Sequence, residues 1–224
     1  MKAIRSVIER TRVLLLGLFD LLARAVRWSK AEYQKRPGSY LIFCFLLPFG
    51  LMTLIYALIG TWPFGKASVL VLDLNGQYVY FFEALRDFVW GDASLLYSFS
   101  RSLGGEFLGI YAYYLASPLS YIVALFPADA ILEALFLMFV IKQGLCGLSF
   151  GYFLRKTTDL SSTTTVMFSS VYALTAYGIV MQHNTMWTDN VILLPLIALG
   201  IRLLITEGKY KLYTISLEIG RAHV

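Results

Sequence analysis

Four stretches of the chain are apolar with almost no polar interruption. Residues 40–60 hold no charged side chain and are long enough to cross a hydrocarbon core. Residues 130–154 form a second run, with Lys142 and Gln143 near its middle and Arg155 and Lys156 at its end. Residues 163–180 form a third, rich in the Ser, Thr and Ala that close helix packing in lipid prefers. Residues 191–205 form a fourth, followed by Glu207, Lys209 and Lys211. None of these shows the single apolar stripe of a surface helix, and a helix apolar on all sides belongs in lipid or a large core. The pattern predicts an all-α integral membrane protein of about four transmembrane helices. A long external loop, 61–129, follows the first, and a short one, 181–190, precedes the last.

The polar stretches differ in kind. Residues 1–39 are basic and amphipathic, with Leu14, Leu15, Leu18, Leu21, Leu22, Val26 and Trp28 at roughly helical spacing. This suits a helix lying on an anionic leaflet. Leu22-Ala23-Arg24-Ala25 resembles a signal-peptide cleavage site, but Asp20 interrupts the apolar core such a peptide needs. Loop 61–129 is dense in Tyr, Phe, Trp and Gly, unlike a disordered linker. Within it, 78–89 reads as an amphipathic helix with Glu83, Arg86 and Asp87 on its polar side. Residues 111–126 are apolar but short, with Pro118 inside, and read as an interfacial or re-entrant segment.

Composition agrees: 58% of residues are hydrophobic and 15% charged, against about a quarter charged in soluble domains. A net charge of +5 would suggest nucleic acid in a soluble protein. Here the placement of the cations carries the meaning, and no nucleic-acid partner is expected. Lys2, Arg5, Arg10, Arg12, Arg24, Arg27, Lys30, Lys35 and Arg36 precede the first span. Arg155, Lys156, Arg202, Lys209 and Lys211 fall on the same side of a four-crossing arrangement, while loop 61–129 is mainly acidic. Cation bias therefore predicts a cytoplasmic N-terminus, an external loop 61–129 and a cytoplasmic segment 206–217. Cys44 and Cys146 lie in apolar runs and read as small buried hydrophobes. There is no Walker loop, zinc spacing, nucleophile elbow or nucleotide fingerprint.

Candidate chemistry centres on 68–82. Asp73 follows the apolar run Val69–Leu72, and Asn75, Gln77, Tyr78 and Tyr80 come soon after. In a helix Gln77 and Tyr80 would share the face of Asp73, and Asp73 would equally serve as a helix N-cap. Asp189, beside Trp187, is a second carboxylate, and it too is a site residue, a cap or an interfacial anchor. Lys142 is a cation near mid-bilayer, a functional candidate by default. It would bind a lipid phosphate, snorkel, or pair with a carboxylate. Arg86 and Arg101 are external cations able to hold a phosphate. Trp90 and the Tyr111–Tyr114 cluster suit sugar stacking and an interfacial belt alike. His183 is more often structural than a ligand in such a place.

Several features, in order, resemble the N-terminal part of the bacterial YfhO family, multi-span membrane proteins related to GT-C glycosyltransferases. These are the first span, Asp73-Leu74-Asn75-Gly76-Gln77-Tyr78, then Tyr97-Ser98-Phe99 with Leu103-Gly104-Gly105. Tyr111-Ala112-Tyr113-Tyr114-Leu115-Ala116-Ser117-Pro118-Leu119 follows, and Asn184-Thr185-Met186-Trp187-Thr188-Asp189 precedes Leu194-Pro195-Leu196. Thr188 stands where the family usually has an apolar residue, and the family's many later spans are absent. The resemblance implies a bacterial plasma-membrane enzyme that moves a sugar from an undecaprenyl-phosphate carrier to a cell-wall polymer such as teichoic acid. It also implies that an early external carboxylate, here Asp73, acts as base or metal ligand. Gln77, Tyr78, Asp189, Lys142 and Arg101 are the expected substrate contacts, with Asp73 and Asp189 as candidate ligands of a divalent metal. Residues 218–224 match the translation of a common sequencing adapter, which predicts that the natural protein continues beyond them.

Overall fold

The structure, a computed structural model, describes residues 38–99 and 103–221, together with Arg24. The basic segment 1–37, apart from Arg24, and Arg101 lie outside the described residues. The rest is helical: α1 Leu41–Ile59, α2 Val79–Trp90, α3 Ile131–Thr157, α4 Ser162–Ala173, α5 Ala176–Val180, α6 Thr185–Glu207 and α7 Lys211–Arg221, with one two-residue hairpin, β1 Tyr97–Ser98 against β2 Gly105–Glu106. Among the described residues, three helices are long and apolar enough to cross a membrane: Leu41–Ile59, Ala128–Thr157 and Thr185–Glu207. Two bent pairs, Leu108–Leu115 with Pro118–Leu125 and Ser162–Ala173 with Ala176–His183, would make five if each were one span.

Between apolar helices in lipid, association rests on close packing and buried polar contacts. α1 buries Cys44, Pro48, Met52 and Tyr56, every fourth residue, as one stripe. Facing it, α3 presents Gly144, Gly147 and Gly151. A Cβ on Gly147 would strike the Cys44 carbonyl oxygen, and one on Gly151 would lie 2.6 Å from Cys44 Sγ. The glycines let the two backbones meet.

α4 and α5 are one helix broken at Leu174–Thr175 and bent by 49°. A broken helix in lipid must find new partners for the backbone groups it frees. Two side chains provide them. Thr175 Oγ1 accepts from the Gly178 amide at 3.4 Å, and Gln143 Nε2, from α3, donates to the Ala173 carbonyl. Gln182 Nε2 then donates to Gln143 Oε1 at 2.8 Å, and Tyr56 Oη donates to Gln182 Oε1 at 2.5 Å. The chain of bonds ties α1, α3 and the break together.

The connection between α1 and α3 folds as a cap on the N-terminal end of α3. A π-helical turn, Leu74–Tyr78, runs directly into α2. Its inner side, Leu74, Tyr78, Phe82 and Leu85, packs with Phe107, Ile110, Leu115 and Val123 onto Ala134, Leu135, Met138 and Phe139 of α3. Each fully buried ring or leucine here contributes about 1.5–3 kcal/mol. Leu108–Leu115 and Pro118–Leu125 meet at 105°, where Ser117 Oγ accepts from the Leu119 amide at 3.2 Å.

The last long helix starts earlier than the hydropathy indicates. Residues 181–190 were expected as a loop, yet α6 begins at Thr185 and buries Thr185, Met186, Thr188 and Asp189. The polar pattern suggested a loop, but Asp189 pairs with Lys142 inside the bundle and the Thr185 carbonyl accepts from the same ammonium. α7 folds back along α6, the Tyr213 backbone lying against Gly200.

Candidate functional site

The π turn sorts 73–80 into two sides. Leu74 and Tyr78 are buried, while Asp73, Gln77 and Tyr80 are exposed. The three exposed residues follow the i, i+4, i+7 spacing of one helical face. Asp73 opens the turn but makes no side-chain capping bond. The residue before it, Leu72, has φ +48°, a left-handed conformation that branched side chains avoid at a cost of order 1–3 kcal/mol. The sharp turn this makes leads the chain out of the extended 68–71 stretch into the helix at Asp73.

Beside Asp73 lies a cleft of about 260 Å³. Its walls are the last turns of α1 (Met52, Ile55, Tyr56, Ile59), residues Ser68, Val69, Val71 and Leu74, and the end of the broken helix at Ile179, Val180, Gln182 and His183. Val71 and Leu74 flank Asp73 in sequence, and Asp73 itself is exposed. The lips are apolar and open: Ile59 is 64% exposed and Val180 61%. The back wall is held by the Tyr56–Gln182–Gln143 chain of bonds. His183 Nδ1 donates to the Val180 carbonyl at 2.8 Å, since a carbonyl can only accept. That bond leaves Nε2 as the imidazole's other hydrogen-bonding atom.

Tyr78 lies beneath the exposed side of the turn. Its ring is fully buried against Phe81, Phe82 and Tyr114, and its hydroxyl finds no hydrogen-bond partner among the described residues. Burial raises its phenol well above the ordinary value, with Tyr114, Asp73, Tyr113 and Asp189 adding to the effect.

Asp189 and Lys142 form a buried ion pair. Nζ lies 3.0 Å from Oδ1 and 3.0 Å from Oδ2 of the carboxylate, and Nζ also donates to the Thr185 carbonyl at 2.8 Å. Lys142 is 1% exposed. A cation in this state has partners for its charge and is closed off from a lipid phosphate. Asp189 accepts from Lys142 through Oδ2, with Oδ1 at the same distance. No three His, Cys, Asp or Glu side chains gather among the described residues in a way that could hold a metal ion. Asp189 is buried with Lys142 while Asp73 is exposed, and the two do not gather with a third ligand into a shared metal site.

Arg86 donates from Nε to the Phe126 carbonyl at 2.9 Å and pairs through Nη1 with Asp87 at 3.0 Å. Trp90 Nε1 donates to the Ala124 carbonyl at 3.0 Å. Of the aromatic cluster, Tyr114 belongs to the buried packing around Tyr78, while Tyr113 is half exposed. The polar chain through Tyr56, Gln143 and Gln182 was not foreseen. Its only sequence signal was two amides in or beside apolar runs.

A family model described as "Bacterial membrane protein YfhO" matches residues 44–219. No curated protein and no solved structure matches the chain.

Proposed function

Because the chain belongs to the YfhO family of bacterial membrane proteins, we propose that it transfers a sugar from a polyprenyl-phosphate carrier to a cell-surface polymer. The observation that supports this reading is an apolar cleft between helices fit to cross a membrane, two of whose lining residues, Val71 and Leu74, flank the exposed Asp73 in sequence. A lipid-linked donor needs that combination: an apolar slot for the chain and a wet rim for the headgroup.

In this reading Asp73 accepts the proton of the acceptor hydroxyl as that oxygen attacks the anomeric carbon. The bond from that carbon to the phosphate oxygen breaks, and polyprenyl phosphate leaves with the electron pair. His183 also lines the cleft wall; its Nδ1 proton is spent on the Val180 carbonyl, so Nε2 can donate to the departing phosphate only when the ring carries a second proton. With one exposed carboxylate beside the cleft, direct displacement is the simplest course, and it inverts the anomeric centre. Gln77, on the same face, orients Asp73 or a sugar hydroxyl. Lys142 and Asp189 act away from this surface by fixing α3 to α6, and Tyr78 packs beneath the turn that bears Asp73. The site faces outward in this reading. Arg155, Lys156, Arg202, Lys209 and Lys211 lie at the opposite end of the bundle, where Arg202 Nη1 reaches the Thr157 carbonyl at 3.2 Å, and cation bias favours that end for the cytoplasm.

The test in cells is Asp73→Asn. It is expected to remove sugar decoration of the envelope while leaving the protein's abundance in the membrane unchanged. Unchanged decoration would remove Asp73 from the chemistry. A lipid transporter would instead be sensitive mainly at the buried charges.

A further inference from the structure

A second cavity, of about 220 Å³, lies on the outer side of α2. Tyr80, Phe81, Glu83, Ala84 and Asp87 line it from the helix, and Ser98, Phe107 and Ile110 close it from the hairpin side. It belongs neither to the cleft beside Asp73 nor to the buried ion pair.

Its chemistry is particular. Three aromatic rings supply flat apolar faces, and two carboxylates supply hydrogen-bond acceptors. Asp87 is held in place, because its partner Arg86 is itself tied to the Phe126 carbonyl and lies 5.5 Å from the Trp90 ring centre. Burial, with the Asp87 charge adding, raises the Glu83 carboxyl above its ordinary range. Such a site suits a ring with apolar C–H faces and hydroxyls that donate at its edge. A cationic amine would also be welcome. A phosphate would meet acidic side chains and lose its hydration for nothing.

Its position is also informative. The π turn that begins after Asp73 runs directly into α2, whose Tyr80, Glu83, Ala84 and Asp87 line the second cavity, so one continuous helical stretch leads from Asp73 to the cavity. At about 1.5 Å per residue, Tyr80 stands about 10 Å from Asp73 and Asp87 about 20 Å away.

We infer that this second cavity binds a neutral or amine-bearing sugar ring of the acceptor, one to three units removed from the unit that receives the transferred sugar. The assignment of this ring to the acceptor rests on the transfer reading above. Binding in the cavity does not. A phosphate-bearing unit is excluded from the cavity, so an acceptor polymer would present its sugar substituents here and keep its phosphates outside.

The test uses the full chain in lipid nanodiscs and saturation-transfer NMR with three probes of one ring size: methyl β-glucoside, glucosamine and glucose 6-phosphate. Methyl glucoside and glucosamine are expected to bind, and glucose 6-phosphate to bind at least about fivefold more weakly. The double variant Tyr80→Ala, Glu83→Gln is expected to weaken methyl glucoside about tenfold, the loss of one stacking contact and one charge-assisted hydrogen bond. Both side chains are exposed, so the fold tolerates the change. The inference is overturned if the phosphate sugar binds as well as the neutral one, if none of the three binds, or if the double variant binds like the native chain. Assaying sugar transfer by the native chain separates the two readings. No transfer by the native chain, with methyl glucoside still bound and that binding lost in the double variant, would sink the transfer reading and keep the cavity.

Discussion

Removing one member of the Lys142–Asp189 pair should be among the most damaging changes available in this chain. The two contacts from Nζ are 3.0 Å each, and the side chains are 1% and 6% exposed. At 3.0 Å and an effective dielectric near 20, the attraction is about 5 kcal/mol. Desolvation of both ions offsets much of that, so the pair adds little net stability. The cost of leaving one ion alone is another matter, about 3–5 kcal/mol. Lys142→Met and Asp189→Leu should each lose that much. The double variant should lose only about 1 kcal/mol, because both charges leave together and the Thr185 carbonyl keeps its place in the α6 ladder. The coupling energy would then be about 5–9 kcal/mol in magnitude, above the roughly 0.5–3 kcal/mol usual for side chains in contact. Reversible unfolding by steric trapping in bicelles measures each term. Single variants that each cost under about 1 kcal/mol, or a double variant that costs the sum of the singles, would refute the claim that the pair is closed and mutually satisfied.

Two further outcomes follow from the packing and the electrostatics. Gly147→Val should force α1 and α3 apart and cost about 1–3 kcal/mol, read as a lower unfolding temperature in detergent. Native stability in that variant would mean the Cys44 carbonyl does not press on Gly147. Glu83 is an acid whose folded value is raised, so the native state keeps its proton to higher pH than the unfolded chain. Its contribution to stability is present below the ordinary carboxylate range and is lost as pH rises through the raised value. Unfolding temperature should therefore decline over that interval in the native chain, and Glu83→Gln should remove the decline. An identical pH slope in the variant would show that Glu83 is not desolvated.

The membrane class and the family were legible because both rest on long, unambiguous signals. Runs such as 40–60 leave few folds open, and the ordered motifs from Asp73 to Leu196 survive without any structure. The face bearing Asp73, Gln77 and Tyr80 was also readable, because helical spacing is local. What escaped is long-range or depends on satisfaction of polar groups. Asp189 was placed in a loop because its neighbours are polar, and nothing in sequence says that Lys142, 47 positions away, neutralises it. Gln143 and Gln182 gave no hint that they close the gap left by a broken helix, since the break itself lies in an unremarkable Leu174-Thr175. A shared metal site looked reasonable for two external carboxylates, but Asp189 is paired with the buried Lys142 and no three ligands gather among the described residues.

The most direct measurement of the central claim is sugar transfer by the purified chain in liposomes. The donor would be a polyprenyl-phosphate sugar with labelled sugar, and the readout would be label moved to a hydroxyl-bearing acceptor. The account predicts transfer by the native chain, loss of at least about a hundredfold in Asp73→Asn, within the range expected for removing a general base, and partial recovery in Asp73→Glu. Transfer by Asp73→Asn at the native rate would contradict it.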